Sequence, residues 1–337
     1  MSDFRARLEQ FLTLRGESRT SIEQLTPDAS TREYFRVGWD GATAIVCIYP
    51  EPFQAEEQNY LDVTALFLEA QLPVARILAF NEKLGAIAIE DFGDKILRDE
   101  LNGSEISRRD ELIDRAIHLI PRIQAATGLA FERNSIASRL KFDIEKLCWE
   151  LDFFMEHYFT TLLQCPLDEI TSRALKSEFI ELSEDLDSRA SVLCHRDFHA
   201  ANLMLDQHGE LKIIDHQDAR IGTASYDLVS LLLDRVLEAP SAEWLATKRR
   251  RFLQGRELMG LPKLDDEEFG SEFRLQTIQR CLKAVGTFAF QSATRGKTYF
   301  LPFIQPMFQI VSRAAGNLGR FPVLLEVLAR ETHQTRQ

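Results

Sequence analysis

At 337 residues and 45% apolar content, the chain is long enough to bury a substantial core and to divide into two lobes, although a one-domain barrel of this length is also compatible. Lys and Arg number 40 against 52 Asp and Glu, a formal charge of −12 with no long run of either sign, which argues against a nucleic-acid backbone or an anionic membrane as the main partner. Five scattered cysteines (Cys47, Cys148, Cys165, Cys194, Cys281) show no C-x-x-C spacing and no pairing with histidines, which argues against zinc sites and a disulfide framework and favours buried thiols in a reducing cytoplasm.

The opening "MSDFRARLEQFLTLRG" is charged throughout and reads as an amphipathic helix rather than a signal peptide. No apolar run approaches a membrane span, so the protein is expected to be cytoplasmic. Two runs rich in aromatic and β-branched residues then flank Asp40-Gly41, predicting antiparallel strands at 33–38 and 43–49. Glu56 to Glu69 has helical spacing, with Leu61, Thr64, Ala65 and Leu68 on one face, and short strands return around Lys83-Leu84-Gly85. Beyond Gly93 the periodicity is helical near 108–127, 143–163, 171–187, 241–258, 272–289 and 303–329. One interruption, "NLMLDQHGELKIID", predicts a hairpin around Gln207-His208-Gly209. The fold class is therefore α+β and bilobal: a small antiparallel-sheet lobe over 1–92 with a hinge at about 90–94, then a larger helical lobe over 93–337.

Chemistry concentrates in "HRDFHAANLMLDQHGELKIIDHQDA", residues 195–219. Asp197, Asn202 after four intervening residues, then a strand, a turn, a second strand and Asp215 have the spacing of a phosphotransfer loop. In such a loop the first aspartate accepts the acceptor hydroxyl's proton, and the asparagine and second aspartate hold Mg²⁺. Hard oxygen ligands are what a magnesium ion beside the triphosphate of ATP requires. The opposing reading is a surface hairpin that happens to carry two aspartates and an asparagine; the joint spacing weighs against it.

These stretches, with "IIDHQDARIGTASYDLVSLLLD", resemble the aminoglycoside phosphotransferase and choline kinase superfamily, whose fold is similar to that of protein kinases. Within it the chain looks like the bacterial anomeric kinases of N-acetylmuramate and N-acetylglucosamine. The supporting stretches are "DASTREYFRV", "IYPEP", "PVARILAFNEKLGAIAIEDFGD", "ELDFFMEHYF" and "RCLKAVGTFAFQSATRGKTYFLPFI". The resemblance implies an ATP- and Mg²⁺-dependent kinase that phosphorylates the C1 hydroxyl of a small sugar, with Asp197 as base, Asn202 and Asp215 as metal ligands, and Asp227 bracing the catalytic loop. Asp227 also reads as a first-turn acid or N-cap. His195 and His199 are a support and a substrate candidate respectively, and both also read as ordinary packed histidines. Arg196 stands where many antibiotic kinases carry glycine.

"AIEDFGD" contains Asp91-Phe92-Gly93, the tripeptide that in protein kinases holds metal, but there it follows the H-R-D loop, whereas here it precedes it. The counterpart is Ile214-Asp215-His216. Glu90, Asp91 and Phe92 are placed instead at the hinge, their backbone facing adenine, with Gly93 permitting the turn. On the phosphate side, "TPDASTREYF" has no glycine; Ser30 and Thr31 offer hydroxyls and N–H groups, and a plain loop is the alternative. The following strand has no basic residue from Thr43 to Tyr49, so the missing phosphate-binding lysine is expected to be replaced by Arg32 or Arg36, with Arg36 preferred. Glu56 or Glu57 is a candidate partner for that arginine.

Gln217 and Asp218, directly after the metal strand, are candidates for meeting a hydroxylated substrate. Arg280, Lys283 and Thr287 recur at helical spacing; they either line the cleft or form a solvated face. The acidic "LDDEEF" at 264–269 would be the wall an aminoglycoside needs, or a solvated loop. An aminoglycoside or amino-alcohol kinase, and a nucleotide-binding pseudokinase scaffold, are the competing functions.

Overall fold

The structure, a computed structural model, describes residues 3–16, 20–25 and 31–334. Helix α1 (Asp3–Leu14) is followed by β1 (Ile22–Leu25), β2 (Glu33–Trp39) and β3 (Ala42–Ile48), and after helix α2 (Asn59–Glu69) by β4 (Ile77–Asn81) and β5 (Ala86–Glu90). The five strands form one antiparallel sheet of order β1-β2-β3-β5-β4. Its predicted hairpin turns at Asp40 (φ 46°) and Gly41 (φ 81°), the two positive-φ positions of the tightest two-residue turn. Phe35, Val37, Val46, Ile48 and Ala88 point to one face, where α1 covers them with Leu8, Phe11 and Leu12. Each large side chain buried there contributes about 1.5–3 kcal/mol.

The remaining helices are α3 (Leu97–Gly103), α4 (Ile106–Ala125), α5 (Thr127–Glu132), α6 (Ile136–Arg139), α7 (Ile144–Met155), α8 (Glu169–Arg189), α9 (Tyr226–Leu233), α10 (Ala242–Leu258), α11 (Asp266–Arg295), α12 (Ile304–Leu318) and α13 (Pro322–Gln334). Among them lie β6 (Val192–Cys194), β7 (Leu203–Leu205), β8 (Leu211–Ile213) and β9 (Arg220–Gly222), paired as β6-β9 and β7-β8. The β7-β8 hairpin is the predicted one; the Asp206 carboxylate accepts the N–H groups of His208 and Glu210 at 2.9 Å each and Gly209 takes φ 77°. No helix among the described residues is long and apolar enough to cross a membrane.

Three sequence expectations needed correction. The helix expected over 56–69 begins as a 3-10 turn, and α2 proper starts at Asn59 behind the capping side chain of Gln58. The segment 143–163 changes from α-helix to π-helix over Glu156–Leu162. The segment 303–329 is two helices: Gly319 (φ 63°) ends α12, Phe321 (φ 63°) reverses the chain, and Pro322 opens α13, whose first N–H groups on Val323 and Leu324 are accepted by Glu178 of α8. Core membership is also less simple than chain order suggests. Val63, Leu66 and Phe67 of α2, and Val74 after it, pack into the large helical core, and the Ile213 N–H reaches Pro73 O at 2.9 Å.

Candidate active site

The loop after β6 is held from beneath. Asp227, in the first turn of α9 and fully buried, accepts the backbone N–H groups of His195 (2.7 Å) and Arg196 (3.1 Å). Burial pushes its carboxyl up to about 7, against the pull of those two donors. Arg196 takes φ 86°, a conformation natural to glycine and strained for an arginine. Its side chain reaches Asp218 (Nη1–Oδ2 2.9 Å) and Asp197 (Nε–Oδ2 3.6 Å), so the residue that departs from the antibiotic-kinase glycine adds a cation to the site. His195 Nε2 lies 3.0 Å from Ile214 O, tying the loop to the residue before Asp215.

Asp197, Asn202 and Asp215 come together. Asn202 Nδ2 donates to Asp197 O at 3.0 Å and lies 3.4 Å from Asp215 Oδ2. Gln217 Nε2 donates to Asp215 Oδ1 at 2.9 Å, while its Oε1 is buried with no hydrogen-bond partner. An amide and a carboxylate side by side, with an orphaned amide oxygen next to them, form the hard-oxygen donor set that suits Mg²⁺. Behind Asp215, His216 is fully buried between Tyr60 and Phe67 with Thr64 Oγ1 at 2.7 Å, so α2 fixes the chain where it leaves β8. His199, half-buried, bonds its N–H to Asp197 O at 2.9 Å, and burial lowers its imidazole's proton affinity.

The solvated-face reading of Arg280 and Lys283 fails. Arg280 is 8% exposed, its Nε donates to Ser230 Oγ at 3.0 Å, and its Nη2 is 3.6 Å from Asp197 Oδ1. Lys283 Nζ is also 3.6 Å from that oxygen. Burial alone would raise the Asp197 carboxyl; Lys283, Arg196, Arg280 and His199 outweigh it and hold the group far below the ordinary carboxylate range. Thr287 turns back to bond Lys283 O within its own helix. Sequence reasoning missed Glu150 of α7, 1% exposed, which faces Lys283 at 3.7 Å; its signal was Lys146 and Glu150 at helical spacing, with Glu150 among the apolar Leu147, Leu151 and Phe154 of the buried face. The acidic stretch 264–269 is a helix start, with Asp265 accepting the N–H groups of Glu267 and Glu268.

The nucleotide side separates the two arginines. Arg36, the preferred phosphate candidate, is turned to the segment after β5: Nε and Nη2 meet Asp91 at 2.8 and 3.3 Å, Nη2 meets Asp94 at 2.7 Å, and Nη1 lies 3.6 Å from Glu23. Burial alone would raise the Asp91 carboxyl; Arg36, the Gly93 N–H and the Thr43 hydroxyl hold it below its usual range. Arg32 instead lies over the rings of Tyr34 and Tyr49 and comes within 3.7 Å of Asp215 Oδ1. Thr31 is exposed on the bend before β2, Ser30 lies outside the described residues, and Glu56 and Glu57 are exposed. Glu90 pairs with Arg76, its N–H bonds Arg76 O at 3.0 Å, the Phe92 ring sits 5.5 Å from Lys212 Nζ, and Gly93 takes φ 85°.

The sequence pattern of the Phosphotransferase enzyme family matches residues 21–261. The N-acetylmuramate/N-acetylglucosamine kinase of Neisseria meningitidis is 28% identical over 315 residues, covering 91% of this chain and 91% of that protein. Its counterpart in Pseudomonas aeruginosa is 28% identical over 305 residues, covering 90% and 86%. Among solved structures, choline kinase LicA from Streptococcus pneumoniae superposes with a TM-score of 0.57 at 13% identity, over 93% of this chain and all of that one (100%).

Proposed function

Because the chain belongs to the phosphotransferase enzyme family, we propose that it transfers the γ-phosphoryl group of ATP to the anomeric C1 hydroxyl of N-acetylmuramate, N-acetylglucosamine or both. The observation that carries this reading is the ring of cations at Asp197: Arg196, Arg280 and Lys283. With Asp218, Glu150 and Asp197 matching these cations, the wall has no excess of negative charge to hold the ammonium groups of an aminoglycoside or choline, while its donors can meet the hydroxyls or carboxylate of a sugar. Asp197, held ionised, is a weak base. A hemiacetal hydroxyl is more acidic than an ordinary alcohol because the ring oxygen withdraws electrons, so a weak base suffices to take its proton as the oxygen bonds to phosphorus and ADP leaves.

Asn202 and Asp215 would hold Mg²⁺, which when bound would supply neutralisation of phosphate charge. Arg32 supplies the phosphate-facing cation that β3 lacks, with Thr31 beside it, while Glu90 to Phe92 face adenine at a hinge between a sheet lobe ending near 92 and the helical lobe. His199, Gln217, Asp218, Arg280 and Lys283 surround the acceptor; His195 and Asp227 brace the loop. The test is incubation with ATP, Mg²⁺ and a panel of N-acetylmuramate, N-acetylglucosamine, choline and kanamycin, read by ³¹P NMR. A sugar 1-phosphate is the expected product. Turnover of choline or kanamycin with neither sugar touched, or tight ATP binding without any turnover, refutes the reading in favour of an amino-alcohol or antibiotic kinase or of a scaffold.

A further inference from the structure

A one-directional chain of buried hydrogen bonds ends beneath Lys283. Thr223 Oγ1 donates to Gln276 Oε1 (2.8 Å), Gln276 Nε2 to Gln279 Oε1 (3.0 Å), and Gln279 Nε2 to Glu150 Oε2 (2.8 Å). Thr223 is 2% exposed, Gln276 1%, Gln279 0% and Glu150 1%. The donated hydrogens fix Glu150 Oε2, and that leaves Oε1, which accepts no hydrogen bond, 3.7 Å from Lys283 Nζ and 3.9 Å from Lys146 Nζ. Lys283 Nζ is in turn 3.6 Å from the Asp197 carboxylate. Burying a carboxylate and two amides carries a desolvation cost that an apolar contact between helices would avoid. Packing alone therefore does not account for the chain; its terminus at Glu150, with only the Lys283 ammonium between it and the Asp197 carboxylate, does.

Close approach of the two helices serves the same end. Gly286, one turn beyond Lys283 on α11, packs against the backbone of Phe154, one turn beyond Glu150 on α7: a Cβ there would lie 2.8 Å from Phe154 Cα. The absent side chain lets α7 and α11 meet at the distance the Glu150–Lys283 contact needs.

We propose that Glu150 is a positioning residue for phosphoryl transfer: through Gln276 and Gln279 it is held in place to keep Lys283 charged and directed at Asp197 and the acceptor. This rests on the sugar-kinase reading above. The charged groups facing Lys283 are Glu150 from α7, Asp197 and Arg196 from the catalytic loop, and Arg280 from its own helix, with Lys146 on the far side of Glu150. Burial lowers the proton affinity of Lys283, and Glu150 and Asp197 oppose that, so removing the Glu150 charge makes Lys283 lose its proton at lower pH.

The experiment compares wild type, E150Q, E150D, K283M and E150Q/K283M. E150Q is expected to lower kcat for the sugar on the order of tenfold with KM for ATP unchanged. It should also move the alkaline limb of the pH profile about one unit toward acid, a shift that E150D partly restores. In the double variant E150Q adds nothing to K283M, because its effect passes through the ammonium group. A slow E150Q with an unmoved limb, or losses that simply add, overturns the proposal. Competitive acetylation of Lys283 across pH, read by mass spectrometry, reports the same shift without turnover. A wild type that phosphorylates no sugar thus refutes the sugar-kinase reading alone, while an unshifted Lys283 in E150Q refutes this one. Should E150Q not fold, Q279L replaces it with the same expected direction and smaller size, and no shift there is equally decisive.

Discussion

The two faces of the cleft carry positive charge in different ways. On the face proposed for nucleotide, Arg32 is held over the rings of Tyr34 and Tyr49, with Asp215 at 3.7 Å. On the face proposed for the acceptor, Arg196, Arg280 and Lys283 converge on Asp197, and Asp218 and Glu150 counter two of them. Aromatic faces hold a guanidinium without neutralising it, which suits a group that must meet phosphate. Carboxylates fix a cation's position and reduce its net charge, which suits a wall that orients one small acceptor. On the proposed role of Arg32, the lysine missing from β3 is less a loss of charge than a change in how the charge is held.

The comparison breaks most readily at its shared centre. D197A is expected to lower kcat roughly 10²–10⁴-fold while calorimetry shows ATP binding little changed; full activity in D197A would remove the base from the mechanism. Next, R32A should weaken ATP binding and slow turnover on the order of 100-fold without changing KM for the sugar, whereas R36A should leave the phosphate contacts intact and act on the segment 91–94. Equal effects of both on ATP would erase the distinction drawn between the two arginines. On the other face, K283M should raise KM for N-acetylmuramate about tenfold more than for N-acetylglucosamine, because only the former carries a carboxylate. Steady-state kinetics with the two sugars checks it, and equal losses would mean that the wall does not read acceptor charge.

The smallest effect concerns the brace. With its carboxyl pushed up to about 7, Asp227 keeps a proton in the folded protein that the unfolded chain releases above its ordinary value of 3.8. Its contribution to stability is therefore full below about pH 4 and fades as pH rises to about 7. In urea melts, wild type should exceed D227N by about 1–3 kcal/mol more at pH 5 than at pH 8. A difference that does not change with pH would place Asp227 among fixed hydrogen-bond acceptors.

Local rules made much of this legible. The Asp40-Gly41 hairpin, the β7-β8 hairpin and the spacing of Asp197, Asn202 and Asp215 are short-range features whose chemistry is written in adjacent residues. What depended on long-range packing was not. Nothing in 56–69 announces that α2 belongs to the helical core, because its apolar face has the same period whichever core it meets. Whether Arg280 and Lys283 line the cleft or face solvent stayed open, since helical spacing gives a face without saying what covers it. Charges recurring on both α7 and α11 were the available clue, and it becomes informative only once the two helices are known to touch. The preference for Arg36 was drawn from β2 alone, whereas the side chain's partners, Asp91 and Asp94, come from more than fifty residues away.

Gly286 bears neither charge nor polar side-chain atom, yet its bare Cα sets how near α7 lies to α11. A single methyl group there would have to push the Phe154 backbone outward, and Glu150, one turn back on the same rigid rod, would travel with it. Replacing this glycine with alanine would therefore retune an acid–base property of the site by purely mechanical means, and a residue that never ionises would appear in the enzyme's titration.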